Sequence, residues 1–270
     1  MIRARELSLR VGSRLLIANA AFEARAGEMI AVLGRNGVGK TTLLRTLAGV
    51  RAPDAGSVTI EERDITAMPA AHRARQIAHL AGDDLFIDRL TVRDVVAMGR
   101  YPHHSWWEWR EDASDHAVIE RSLQAVHMEA LAARRFDTLS SGERQRVWLA
   151  LAFAQEAPVL LLDEPTSHMD VRIAHDILAM LRGQARSGKT IICVLHDVNE
   201  AAEFADRILL LGSGRILALD TPARVLSSSL LETAYGIRME LVKTQSGTLR
   251  VFPVPPEIHQ RSPLSGMPDP

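Results

Sequence analysis

Two carboxylates, a lysine and a histidine in this chain stand where phosphate chemistry could use them. Lys40 closes the stretch GRNGVGK, in which Gly34, Asn36, Gly37 and Gly39 precede it and Thr41 and Thr42 follow. Glycines permit turns that aim several backbone N–H groups inward around phosphate oxygens. A helix starting there adds the positive end of its dipole. In this pattern Lys40 supplies a point charge for the β- and γ-phosphates of ATP, and the Thr41 hydroxyl a ligand for Mg²⁺. Only three of the 32 basic residues are lysines (Lys40, Lys189 and Lys243), which makes a lysine at this spot informative. The plain alternative is a chance glycine-rich turn. The apolar run EMIAVLG before it and the helical spacing of TTLLRTLAGV after it argue against that.

Asp163 and Glu164 follow the apolar run VLLL. A carboxylate ending a buried strand is costly unless it is paired or holds a metal, so Asp163 suits the cation of Mg-ATP. Glu164 points elsewhere and could accept a proton from an attacking water. His196 ends another apolar run, ICVL. Ligands of open α/β sheets gather at the carboxyl ends of strands, so contact with the γ-phosphate is expected of His196. The plain alternatives are an acidic helix cap and a structural histidine. A second turn, LSSGERQR, places Ser140, Ser141 and Gly142 ahead of the run VWLALAFAQ. Ser140 and Glu143 are spaced as a capping box. A helix start built of serine and glycine is also a ready anion site.

The motifs GRNGVGKTT, LSSGERQR, LLLDEPTSHMD and VLHD, in that order, resemble the ATP-binding subunit of ABC transporters. The likeness runs from about Ile2 to Leu249. It implies that Ser140 and Gly142 of one copy bind the γ-phosphate held by Lys40 of another. It further implies that Ser167, His168, Met169 and Asp170 link the two sites, and that two ATP molecules glue a homodimer. LTVRDVVAMGRYPH and DTLSSGERQRVWLALAFAQ resemble importer subunits for iron–siderophore complexes, heme and cobalamin. In that group the ATPase is a separate chain beneath two integral-membrane permease subunits, fed indirectly by a periplasmic or surface substrate-binding protein. The rival readings are a nucleotide-gated module with weak hydrolysis and a soluble ABC ATPase outside transport.

The elements that must position these residues are legible in outline. Short alternating runs over the first sixty residues predict a partly antiparallel sheet. EMIAVLG, PVLLLD and TIICVLHD predict parallel strands buried on both faces, with VRIAHDILAMLRGQARSG as a crossover helix. DRILLLGSGRILALD predicts a hairpin turning at Gly212-Ser213-Gly214. Between about 90 and 157 only helical patterns remain. The expected fold class is α/β: a P-loop NTPase core with an antiparallel β subdomain and an inserted α-helical subdomain. The cassette is expected over 1–252 and a proline-rich disordered tail over 253–270, which holds half of the 12 prolines.

Three positions depart from the family pattern. Gly82 takes the place of a glutamine that touches Mg²⁺ and water, with Asp83 or Asp84 as partial substitutes. Val11 takes the place of an aromatic that stacks on adenine. Ser141 takes the place of the first glycine of the signature turn. Trp106, Trp107 and Trp109, beside His103 and His104, suit either a permease contact or ordinary packing, and two adjacent histidines are too few for a metal site. With a net charge of −1 there is no electrostatic footprint for nucleic acid. No apolar run reaches the roughly 18 residues of a membrane span. The expected location is the cytoplasmic face of the inner membrane, as a peripheral subunit. Cys193, in an apolar run, reads as buried and inert.

Overall fold

A computed structural model describes residues 1–81, 87–104, 111–244, 247 and 249–254. Gly82, Asp83, Asp84, Trp106, Trp107, Trp109 and residues 255–270 lie outside the described residues. In chain order the first half contains β1 (Ile2–Val11), β2 (Arg14–Ala24), β3 (Met29–Leu33), α1 (Lys40–Leu47), β4 (Ala55–Ile60), β5 (Arg63–Asp64), α2 (Ala70–Gln76) and β6 (Ile77–Leu80). The lobe that follows contains α3 (Val92–Ala97), α4 (Ala113–Ala125) and α5 (Ser141–Ala154). The chain then returns to the core with β7 (Val159–Asp163), α6 (Val171–Arg186), β8 (Thr190–Val194), α7 (Val198–Phe204), β9 (Arg207–Gly212) and β10 (Arg215–Asp220). It continues through α8 (Pro222–Val225), α9 (Ser228–Tyr235), β11 (Met239–Lys243) and β12 (Leu249–Pro253). β12 therefore runs one residue past the boundary expected at 252.

The main sheet has the order β10-β9-β3-β8-β7-β6, parallel except for β10 at one edge. Every residue of β3, β7 and β8 is buried, which is why these strands read as unbroken apolar runs. Their alternating side chains feed two cores. Met29, Ala31 and Leu33 face α5, α6 and the helical lobe, whereas Ile30 and Val32 face α1 and the antiparallel sheet β2-β1-β4-β5. The β9–β10 hairpin turns through Ser213 (φ 50°) and Gly214 (φ 71°), the left-handed pair that a tight hairpin requires. Ala18 N–H donates to the Gly214 carbonyl at 2.9 Å and docks this turn on β2.

In the lobe, α3, α4 and α5 each start on a capping box: Thr91 with Asp94, Asp112 with Asp115, and Ser140 with Glu143. Arg100 is buried and donates to Asp115 Oδ1 (2.8 Å), Glu156 Oε2 (2.9 Å) and the Ala154 carbonyl (2.8 Å). It thereby ties the segment after α3 to both other helices.

Cys193 lies in β8, fully enclosed, and burial pushes its thiol from 9.0 up to about 12. A thiol reagent at pH 8 is expected to react only as fast as the protein opens, with full reaction in denaturant. Rapid labelling of native protein would contradict this burial. The raised pKa means that the folded state holds the thiol proton more tightly than the unfolded chain does. This contribution to stability is complete below pH 9 and falls away as pH rises beyond it.

Candidate functional site

The phosphate loop joins β3 to α1 and owes its shape to glycines at two points. Gly34 has φ +146°, and a Cβ there would lie 2.6 Å from the Leu211 carbonyl oxygen. Gly39 has φ +112° and caps α1; its added Cβ would meet Leu16 Cβ at 3.1 Å. At these two points the loop is wedged between β9 and β2. Lys40 is 6 % exposed, and its Nζ donates to the carbonyls of Gly34 (2.8 Å) and Arg35 (3.3 Å). Burial lowers its pKa, and the nearby carboxylates of Glu164 and Asp163 oppose that shift. A buried ammonium resting on two loop carbonyls is poised for stronger acceptors, such as phosphate oxygens.

Asn36, Gly37, Gly39, Lys40, Thr41, Thr42 and Glu164 line one cleft of about 420 Å³, together with Val11, Arg14 and Leu16. A second cleft, of about 460 Å³, shares Asn36 and Glu164 and adds Ser167, His168 and His196. Gly34 lies under the loop and outside both lining sets. Asp163, at the end of β7, is 7 % exposed, and its Oδ1 accepts no hydrogen bond from any described residue. Burial raises its pKa above the usual 3.8, and the Thr41 hydroxyl opposes that rise. An orphaned buried carboxylate oxygen beside a threonine hydroxyl fits a divalent cation. Among the described residues no group of three His, Cys, Asp or Glu side chains could hold a metal alone. The fit is therefore to a cation that takes few protein ligands and completes its shell with phosphate and water.

Glu164 sits just past β7 in the left-handed region, at φ 54°. That conformation costs a non-glycine residue about 1–3 kcal/mol and concentrates at functional sites. Two hydrogen bonds hold its side chain. Oε1 lies 2.6 Å from His196 Nε2, at the end of β8, and Oε2 accepts from Ser167 Oγ at 3.0 Å. Burial raises the pKa of Glu164, but these bonds and the Lys40 charge outweigh it and hold the carboxyl below the usual 4.5. Glu164 is thus ionised at neutral pH and positioned by a histidine, a pairing that the sequence separated by more than thirty residues.

The signature turn stands elsewhere. Ser140 caps α5, with its backbone N–H and hydroxyl both 2.8 Å from Glu143 Oε2. Ser140 and Ser141 are exposed, Gly142 is buried, and none of them lines either cleft. A Cβ on Gly142 would press on Ile173 Cδ1 at 3.0 Å, so glycine here also lets α5 approach α6. Asp170 caps α6 by accepting from Ile173 N–H at 2.9 Å. One copy of the chain brings Lys40, Thr41, Asp163, Glu164 and His196 together but leaves Ser140, Ser141, Gly142 and Asp170 outside that cluster.

Two features escaped sequence reasoning. His79 on β6 shares a sheet face with Asp163, and its buried Nε2 has no hydrogen-bond partner among the described residues. Burial lowers its pKa, against the pull of Asp163. Asn199, at the start of α7, clamps the C-terminal hairpin: its Nδ2 donates to the Val251 carbonyl (3.2 Å) and its Oδ1 accepts from Val251 N–H (2.8 Å). The β11–β12 hairpin thereby packs on the helix that follows His196.

Known proteins resemble this chain along nearly its whole length. The family described as ABC transporter matches residues 17–167. The chain is 38 % identical over 255 residues to the hemin import ATP-binding protein HmuV of Thermobifida fusca (strain YX), covering 94 % of this chain and 89 % of that protein. It is 36 % identical over 256 residues to the ferric enterobactin transport ATP-binding protein FepC of Escherichia coli (strain K12), covering 94 % of each. Among solved structures, an inward-facing ABC transporter of the metal-chelate type aligns with a TM-score of 0.82 at 25 % identity, over 94 % of this chain and 97 % of that one. The chain belongs to the ABC transporter family, as an ATP-binding subunit. It binds ATP, and its chemistry is ATP hydrolysis.

Proposed function

We propose that this chain powers import of an iron chelate (a ferric siderophore complex, heme or a related metallo-ligand such as cobalamin) through two separate integral-membrane permease subunits. It works as a homodimer on the cytoplasmic face of the inner membrane, and a periplasmic or surface binding protein delivers the cargo. The observation that carries this reading is likeness along nearly the whole chain to ATP-binding proteins named for hemin and ferric enterobactin. No described helix is long and apolar enough to cross a membrane, so in this reading translocation falls to the permease chains.

In the proposed cycle the loop N–H groups and Lys40 bind the phosphates, and Thr41 and Asp163 hold Mg²⁺. When bound, that cation neutralises charge developing on the β- and γ-phosphates. Glu164 accepts the proton of the attacking water, while His196 fixes the carboxylate and borders the γ-phosphate. Ser140, Ser141 and Gly142 of a second copy close over the phosphates, and Ser167, His168, Met169 and Asp170 connect the two sites. The test is reconstitution with the permease in vesicles, using heme and a ferric siderophore as cargoes. ATP-dependent uptake of one cargo is expected, together with faster phosphate release in its presence. Hydrolysis indifferent to permease and cargo would overturn the transport reading.

A further inference from the structure

Beyond the phosphate loop, the wall of the ATP cleft comes from the hairpin formed by β1 and β2. Leu16 lies directly on the loop, against Gly39. Arg14 lies two residues farther along β2 toward the hairpin turn, past the shift in β1–β2 register that falls at Leu16. Val11 pairs directly with Arg14 in the antiparallel register, which puts it on the same face. Val11, Arg14 and Leu16 all line the cleft, whereas the intervening Leu15 does not. The loop and Lys40 account for the triphosphate, which leaves the ribose and base to lie along these three side chains. Val11 is 52 % exposed and offers no flat surface. The only planar group of the three is the Arg14 guanidinium. Some arginines elsewhere are held by carboxylates, as Arg93 is by Glu111 and Arg135 by Asp137. No hydrogen bond or ion pair with a described residue engages the guanidinium of Arg14.

We propose that Arg14 is the base-binding residue of this chain, its guanidinium plane stacking on the adenine ring. A guanidinium is planar, delocalised and weakly hydrated, and it stacks on π faces where an ammonium does not. Arg14 then stands in for an aromatic plate and holds the nucleotide at the end opposite Lys40. The inference rests on the ATP reading of the cleft.

The test is calorimetric binding of ATP and of inorganic tripolyphosphate to the wild-type chain, Arg14→Ala, Arg14→Lys and the double variant Val11→Tyr/Arg14→Ala. Arg14→Ala is expected to weaken ATP binding roughly tenfold and to leave tripolyphosphate unchanged, which also reports an intact fold. Arg14→Lys keeps the charge and loses the plane, so it is expected to remain as weak as Arg14→Ala, whereas Val11→Tyr restores affinity in the double variant. Equal losses for ATP and tripolyphosphate would place the guanidinium on the phosphates and overturn the proposal. Full rescue by lysine, or no loss in Arg14→Ala, would overturn it as well. Failure of the wild-type chain to bind ATP would instead sink the reading on which the inference rests.

Discussion

Glu164→Gln is expected to slow phosphate release by about 10²–10⁴-fold, the range a positioned general base contributes, while ATP still binds. The reasoning is electrostatic and geometric together. Glu164 is held below the ordinary glutamate pKa, so at neutral pH it is a proton acceptor, and a carboxamide of the same shape is not. Glutamine keeps an oxygen for the hydrogen bond from Ser167 Oγ and leaves the loop, Lys40 and Asp163 untouched, so ground-state binding survives. Loss of turnover with retained binding is the signature of an interaction made only on the way to the transition state. In the proposed dimer this variant is expected to accumulate as an ATP-bound pair, visible as a doubled mass on gel filtration with ATP and not without it. Near-wild-type release by Glu164→Gln would remove Glu164 from the role of base.

Much of this site can be read from the sequence because phosphate binding places rigid demands on local sequence. The glycines at 34 and 39 are needed where the backbone takes positive φ under neighbouring strands, and Lys40 has to follow them at the helix start. Asp163 and His196 end runs that are wholly apolar because β7 and β8 are covered on both faces. The capping box at Ser140 is likewise local. What the sequence withheld are pairings made through the fold. His196 and Glu164 meet because β7 and β8 are neighbours in register. The buried bridge from Arg100 to Asp115 and Glu156 joins three segments with no shared motif. His79 shares a face with Asp163 only through the β6–β7 register. Asn199 reads as an ordinary helix-start residue until β12 lies against it. The expected lobe between 90 and 157 emerged from the loss of strand patterns. Two of its three capping boxes, at Thr91 and Asp112, were as local as the third but used Asp in place of Glu at the reciprocal position.

Mixing two inactive variants is expected to restore hydrolysis, because the signature turn and the phosphate loop of one chain lie in separate places. Lys40→Ala removes the buried charge that, in the proposed cycle, meets the phosphates; charge-assisted hydrogen bonds of this kind are worth about 1.5–3 kcal/mol each, so ATP affinity is expected to fall roughly tenfold to a hundredfold. Ser140→Arg puts a long side chain on an exposed turn. It removes a helix cap worth about 1 kcal/mol, a loss that a domain of this size survives, and it leaves the chain's own cleft intact. Alone, each variant is expected to be inactive in hydrolysis, the first for want of the charge on the phosphates and the second for want of a closed site. In a two-fold dimer, contact i-to-j on one side is repeated as j-to-i on the other. A mixed pair therefore contains one doubly damaged site and one site with Lys40 and Ser140 both intact. If the sites act independently, an equal mixture should recover roughly a quarter of wild-type phosphate release, since about half the pairs are mixed and each holds one good site. Mixtures that remain inactive while both chains still dimerise would mean that Ser140 does not complete a partner's site. A Ser140→Arg chain that hydrolyses ATP normally by itself would confine catalysis to the cluster of Lys40, Asp163, Glu164 and His196 within one copy.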